Sequence, residues 1–375
     1  MRDLRTLPKG HLHLHFELGM RPSTLADLAA AAGLPTPRTT GFTEFGGFGD
    51  VVGGILPLLR GPADFERLVD EMVSDAAAEG VVYLEPSFWP YAHGEAFSSA
   101  DEAWETVLAR SNQAAARHGV TVRWMAAVDR VLDSPERAVE VARTALRHAD
   151  RGIVALGLHN DENGWPPEPF EAAFRLALDG GLLSTPHAGE LAGPQSVRGA
   201  IGPLGAHRLQ HGIRAIEDPS LVDELRERNI CLDVCPTSNL LLSVVPSLAR
   251  HPLKALLRAG VRCSINADDP LLFGPTCLEE YELCRRELGL SDEELAECAR
   301  SSVRFGAAPP AVRDAALADI DAWLTAPADI PGQPNDGPAT SVRASEAGLR
   351  RVSVAGSAHG AGPCGAGPAH GQATV

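Results

Sequence analysis

In the run Leu12-His13-Leu14-His15-Phe16, apolar residues and imidazoles alternate. A β-strand sends every second side chain to the same face, so both histidines point into one space, a metal-binding geometry. Alone, the pair is a weak signal, because a histidine in an apolar stretch is commonly a hydrogen-bonded core residue. The chain, however, supplies the partners such a pair needs: His187 in Thr185-Pro186-His187-Ala188-Gly189-Glu190, His211 in Gln210-His211-Gly212, and the adjacent carboxylates Asp268 and Asp269. Each lies at the end of an apolar segment, and core packing would have to explain all four places at once.

Working outward, short apolar or β-branched runs recur at 11–16, 81–88, 121–128, 153–160, 182–190, 208–213, 230–237 and 262–269. Segments with apolar residues at three- and four-residue spacing lie between them, such as 63–79, 134–149, 169–178, 219–228 and 252–259. Strands alternating with helices in this way predict an α/β protein, a closed (β/α)8 TIM-type barrel over 1–325. In such a barrel active groups sit at the carboxyl ends of the strands, and the suspected ligands occupy that end of the first, fifth, sixth and eighth runs. The connection from Leu18 to about Pro62 is long and rich in glycine (Gly41, Gly46, Gly47, Gly49, Gly53, Gly54), a candidate lid. Additional helices are expected at 278–288, 291–305 and 311–324, the second started by Ser291 ahead of Asp292, Glu293 and Glu294. From 326 to 375 the composition turns to Pro, Gly, Ala and Ser, which predicts a disordered tail.

Composition narrows the partners. With 49 acidic against 33 basic residues the formal charge is −16, which repels phosphate backbones and anionic membranes, so neither nucleic acid nor a membrane is expected as a partner. The seven cysteines contain no Cys-x-x-Cys and do not suggest a disulfide framework. No stretch approaches the ~18 apolar residues of a membrane helix, and Met1 to His11 has no apolar h-region, so a cytoplasmic location is expected.

With these residues in place, the chain resembles the adenosine deaminase family of metal-dependent hydrolases. The matching stretches are Leu7-Pro8-Lys9, His13-Leu14-His15, Arg21-Pro22-Ser23-Thr24-Leu25, His187-Ala188-Gly189-Glu190, Cys235-Pro236-Thr237-Ser238-Asn239 and Asn266-Ala267-Asp268-Asp269-Pro270, within about Leu4 to Leu324. The resemblance implies that His13, His15, His187 and Asp268 hold one divalent ion, zinc, with a position open for water. It implies further that Glu190 carries the proton, that His211 orients or deprotonates the water, and that Asp269 hydrogen-bonds the purine. The implied reaction is hydrolytic deamination of an adenine-type nucleoside, adenosine to inosine plus ammonia, with the purine and water as small-molecule partners.

The chain departs from the family pattern at three places. Glu17 and Leu18 stand where a short polar or acidic residue and then glycine usually follow the paired histidines; Asn160 stands at a fourth-strand glycine and Gln210 at the glycine before His211. His15, Glu17, Asn160 and Asp269 are the substrate-contact candidates. Asp161 and Glu162 read as structural or solvated rather than catalytic. These departures keep open the same chemistry on aminodeoxyfutalosine or free adenine. A silent nucleoside-binding member would be favoured by loss of a ligand or of Glu190, and none is lost.

Overall fold

Three of the eight expected barrel strands are broken in two, and proline accounts for two of the breaks. A computed structural model describes residues 1–327 apart from 43; the expected tail lies outside the described residues from 328 onward. The strands are β1 (Lys9–His11), β2 (Val81–Leu84), β3 (Ser87–Phe88), β4 (Thr121–Val122), β5 (Trp124–Asp129), β6 (Ile153–His159), β7 (Leu183–Ser184), β8 (His187–Ala188), β9 (Arg208–His211), β10 (Cys231–Val234) and β11 (Arg262–Ile265). Pro86 separates β2 from β3, and Pro186 separates β7 from β8; neither has an N–H to give to a ladder. Their carbonyls still accept, from the N–H groups of Met125 (3.0 Å) and Gln210 (3.0 Å), so each split strand remains one stave.

Every pairing is parallel. Three sheets run β1-β2-β4, β3-β5-β6-β7 and β8-β9-β10-β11, and bridges from Leu14 to Asp268 and from His15 to Ser87 join the ends of the series. The first stave differs from the expected continuous strand. Regular pairing stops at His11, and the backbone reaches His15 through isolated bridges, held by Asn266 Oδ1, which accepts from the N–H of Leu12 (2.7 Å) and of His13 (3.2 Å).

Inside the staves, Arg208 is fully buried, with its guanidinium on Glu85 and on Asp233 Oδ2 (2.7 Å); Ser264 Oγ donates to Asp233 Oδ1 (2.7 Å). A buried cation is tolerable only when paired and hydrogen-bonded, as here. The network also fixes Asp233, whose backbone carbonyl serves the site above.

The connecting helices include Pro62–Ala78, Ala100–His118, Pro135–Arg147, Glu171–Asp179, Pro194–Ile201, Pro219–Glu227 and Leu253–Arg258. Most begin on proline, whose missing N–H costs nothing in the first turn. Cys277–Arg286, Asp292–Phe305 and Pro310–Thr325 follow the last strand. Ser291 caps the second of these reciprocally with Glu294, as its sequence predicts. The long first connection carries helices Pro22–Ala31 and Phe45–Ile55. The six described cysteines are buried and free, and among the described residues no helix is long and apolar enough to cross a membrane.

Candidate active site

The carboxyl ends of the staves bring the expected residues together. The ligand atoms of His13, His187, His211 and Asp268 lie within 4.8 Å of one another, as do those of His15, Asp268 and Asp269. His13 and His15 share one space, their rings 5.6 Å apart, although the second is reached by a bridge and not by a regular strand.

The outer nitrogens sort the imidazoles into two kinds. His13 Nδ1 faces the Asp233 carbonyl (3.2 Å) and His187 Nδ1 faces the Leu158 carbonyl (3.0 Å). A carbonyl only accepts, so both rings carry their proton on Nδ1 and turn an Nε2 lone pair inward. Those lone pairs sit 3.1 Å apart and cannot hydrogen-bond each other. Ser87 Oγ reaches the Leu14 carbonyl (3.3 Å) and His15 Nδ1 (3.2 Å), which leaves His15 Nε2 facing Asp268 Oδ1 at 3.4 Å. Three inward lone pairs and one carboxylate form a donor set that a divalent cation satisfies, with outer hydrogen bonds of the kind that orient ligating histidines. Neutral nitrogen with carboxylate oxygen suits a borderline divalent transition metal. His211 is different: its Nδ1 meets the Asn239 side-chain amide at 3.2 Å.

The charges follow from crowding. Burial, then the carboxylates of Asp268, Glu162 and Asp269, holds Glu190 well above the usual carboxylate range, so it carries a proton. Burial and the Asp268 charge also push Asp269 up, against the pull of His15, and its Oδ1 is buried without a hydrogen-bond partner. Burial, then the neighbouring imidazoles led by His13, keeps His187 neutral. Burial works against protonation of His15, but Asp269 and Asp268 outweigh it and push that ring up to about 9; a bound cation takes the place of such a proton.

One expectation needs correcting: as neighbours at a strand end, Asp268 and Asp269 would point different ways. Asp268 and Asp269 do not diverge from a strand end, because β11 stops at Ile265 and Asp268 takes the left-handed conformation (φ 62°), which turns both carboxylates toward His15. Glu17, a substrate-contact candidate, is 7% exposed, and its carboxylate accepts from His93 Nε2 at 2.8 Å. Asn160 also has positive φ (78°), which explains a position usually held by glycine, and its amide donates to both oxygens of Asp129 (3.0 and 2.8 Å).

Residues that the sequence reading gave no role support the site from behind. The Glu162 carboxylate accepts from the backbone N–H of Gly189 (2.8 Å), Glu190 (2.8 Å) and Leu191 (3.1 Å) and from Ser196 Oγ (2.5 Å), clamping the turn that carries Glu190. Arg130 donates to the His187 carbonyl (2.5 Å). Asn239 touches both Glu190 and His211. Its only sequence signal was membership of the Cys235 to Asn239 stretch.

A cavity of about 230 Å³ opens beside these groups, lined by His15, Glu17, Asn160, Glu190, His211, Asp268 and Asp269 on one side and by Leu18, Phe45, Phe48, Val52 and Leu56 from the first connection on the other. No lysine or arginine lines it.

Comparison with known proteins agrees with this arrangement. The family model described as adenosine deaminase matches residues 8–323. A Streptomyces virginiae protein provisionally named an adenosine/adenine deaminase is 42% identical over 86% of this chain and 98% of its own. An aminodeoxyfutalosine deaminase of Streptomyces avermitilis is 34% identical over 87% of this chain and 94% of its own. Among solved structures, an adenine deaminase from Arthrobacter aurescens superposes with a TM-score of 0.79 at 30% identity, covering 85% of this chain and 99% of that one. Barrel, donor cluster and sequence likeness over nearly the whole described chain place this protein in the adenosine deaminase family of hydrolytic deaminases.

Proposed function

We propose that this chain hydrolyses the exocyclic amine of the adenine ring in adenosine, giving inosine and ammonia. The observation that carries the reading is the convergence of the His13, His15 and His187 rings, with centroids 4.8 to 5.6 Å apart, and of Asp268, within 3.1 Å of His13 Nε2 and 3.4 Å of His15 Nε2, beside Glu190 on the cavity wall. His13, His15, His187 and Asp268 would hold a zinc ion, which when bound supplies Lewis-acid activation of water. Glu190 gives its proton to ring nitrogen 1 as the water oxygen bonds to carbon 6, so the ring never carries an unbalanced negative charge. Asp269, with Oδ1 free, accepts a hydrogen bond from the purine and fixes its plane. His211 stands 3.4 Å from Glu190 Oε2 and 3.7 Å from Asp268 Oδ2, beside the reacting oxygen. The attacking water gives up both its protons, one to the amine, which leaves as ammonia, and one back to Glu190, so the product keeps the proton on ring nitrogen 1 and the carboxyl is restored.

A lining without lysine or arginine supports an unphosphorylated substrate, since a phosphate would enter among carboxylates with no counter-charge. Free adenine is the second reading. Glu17 is already engaged by His93, and Leu18, 5% exposed, fills space where the family's glycine would leave room for a sugar. Ammonia release from adenosine, adenine and aminodeoxyfutalosine tests the proposal. Highest kcat/KM for adenosine supports it, and preference for either other compound replaces the substrate while keeping the chemistry.

A further inference from the structure

Asn239 follows β10 on the short helix Pro236–Leu241, fully buried. Its orientation is set from a backbone amide that lies outside the reacting groups. The N–H of Leu253 donates to His251 Nδ1 (3.1 Å). A backbone N–H can only donate, so the proton of the neutral His251 ring is on Nε2, and burial, which pulls this histidine down to about 4, keeps the ring neutral. His251 Nε2–H therefore donates to Asn239 Oδ1 (3.2 Å). That bond decides which end of the amide is which. The two hydrogens on Asn239 Nδ2 then face Glu190 Oε1 (3.2 Å) and His211 Nδ1 (3.2 Å).

We infer that Asn239, oriented by His251, is a positioning residue that fixes His211 in the Nε2–H form, so that His211 acts toward the reacting oxygen as a hydrogen-bond donor and neither as its base nor as a metal ligand. His211 Nδ1 is occupied by a donor, so it holds no proton. Nε2–H faces the ionised Asp268 at Oδ2 (3.7 Å), with the Glu190 carboxyl oxygen Oε2 at 3.4 Å beside it. The opposite tautomer would set N–H against N–H at Asn239 and a lone pair against the ionised Asp268 oxygen. His13 and His187 show the reverse arrangement, with Nδ1 on carbonyls, which separates them from His211 within one cluster. Residue 211 also holds a left-handed backbone (φ 64°), a conformation that non-glycine residues keep only when their surroundings enforce it. The consequence for turnover rests on the proposed deamination; the tautomer does not.

The test is long-range 1H–15N correlation on the full chain labelled at histidine, both metal-free and zinc-loaded, with the His211 signals assigned by their loss in His211→Gln. The expected wild-type result is a proton on Nε2 and none on Nδ1 in both forms. Asn239→Asp keeps the shape and removes both N–H donors. It should move the His211 proton to Nδ1 and lower kcat by about 100-fold, with KM within about twofold and zinc stoichiometry unchanged. If that variant does not fold, His251→Leu and His251→Gln replace it. Leucine removes the donor to Asn239 and should give mixed His211 tautomers, whereas glutamine restores a donor and should recover the single tautomer and a higher kcat than leucine. A proton on His211 Nδ1 in the wild type, or an Asn239→Asp protein with wild-type tautomer and kcat, overturns the inference. Should the wild type release no ammonia from any adenine compound while His211 keeps Nε2–H, the substrate reading fails and the tautomer assignment stands.

Discussion

Replacing Glu162 by glutamine should damage both stability and turnover, although this residue touches no substrate. Its two oxygens take four donors: Oε1 the backbone N–H groups of Glu190 and Leu191, Oε2 that of Gly189 and the Ser196 hydroxyl. In Glu162→Gln the new NH2 group settles best on the Oε2 side, where the serine oxygen can accept from it. The Gly189 N–H is then left buried and unpaired, which costs ~1–3 kcal/mol, and the two bonds kept by the amide oxygen lose their charge assistance, about 0.5–1 kcal/mol each. The sum is a loss of about 2–5 kcal/mol in unfolding free energy. Because the turn that relaxes carries Glu190, and an ångström of misplacement costs on the order of 100-fold in rate, kcat should fall at least tenfold with zinc content unchanged. Denaturant unfolding at pH 7 and steady-state ammonia release on metal-verified protein measure both. A midpoint shift equivalent to less than ~0.5 kcal/mol with unaltered kcat would refute the clamp.

Other expectations can be checked alongside. Glu190→Gln should bind wild-type amounts of zinc by elemental analysis and lose about 100- to 10,000-fold in kcat; near-normal turnover removes the proton-carrier role. Leu18→Gly should raise the kcat/KM of adenosine relative to adenine by at least about tenfold, and an unaltered ratio takes Leu18 out of the sugar's space. Burial pushes Glu280, whose Oε2 has no partner, up to about 8. The folded pKa exceeds the unfolded one, so the associated stability is full below about pH 4.5 and is lost as pH rises toward 8, by up to about 5 kcal/mol. Glu280→Gln should flatten that fall in thermal unfolding profiles, and parallel profiles for the two proteins would contradict it.

Much of this was legible in the sequence. Alternating apolar runs with intervening 3.6-residue patterns located every stave, because a buried parallel strand must be apolar along its length. Helix starts followed from Ser291 and from prolines at first turns. The proposed donor residues stood out as residue types at the ends of apolar runs. What escaped was backbone conformation and the partners behind the donors. Nothing in the run around His13 announces that pairing lapses at Leu12 and that the Asn266 side chain takes over. Positive φ at Asn160, His211 and Asp268 sets where those side chains point, and Asp268 and Asp269 converge against the alternation expected of a strand. Glu162 and Asn239 act through hydrogen bonds to residues 27–34 and 28–49 positions away, which no local pattern encodes.

The central claim is that one cation, held by His13, His15, His187 and Asp268, makes this cavity a deamination site. Adding zinc stepwise to metal-free protein while following ammonia release from adenosine tests it most directly. Activity should be absent without metal, rise linearly and break at one equivalent in the wild type, with no such rise in His13→Ala. Full activity after exhaustive chelation, or a rise in His13→Ala identical to that of the wild type, would contradict it.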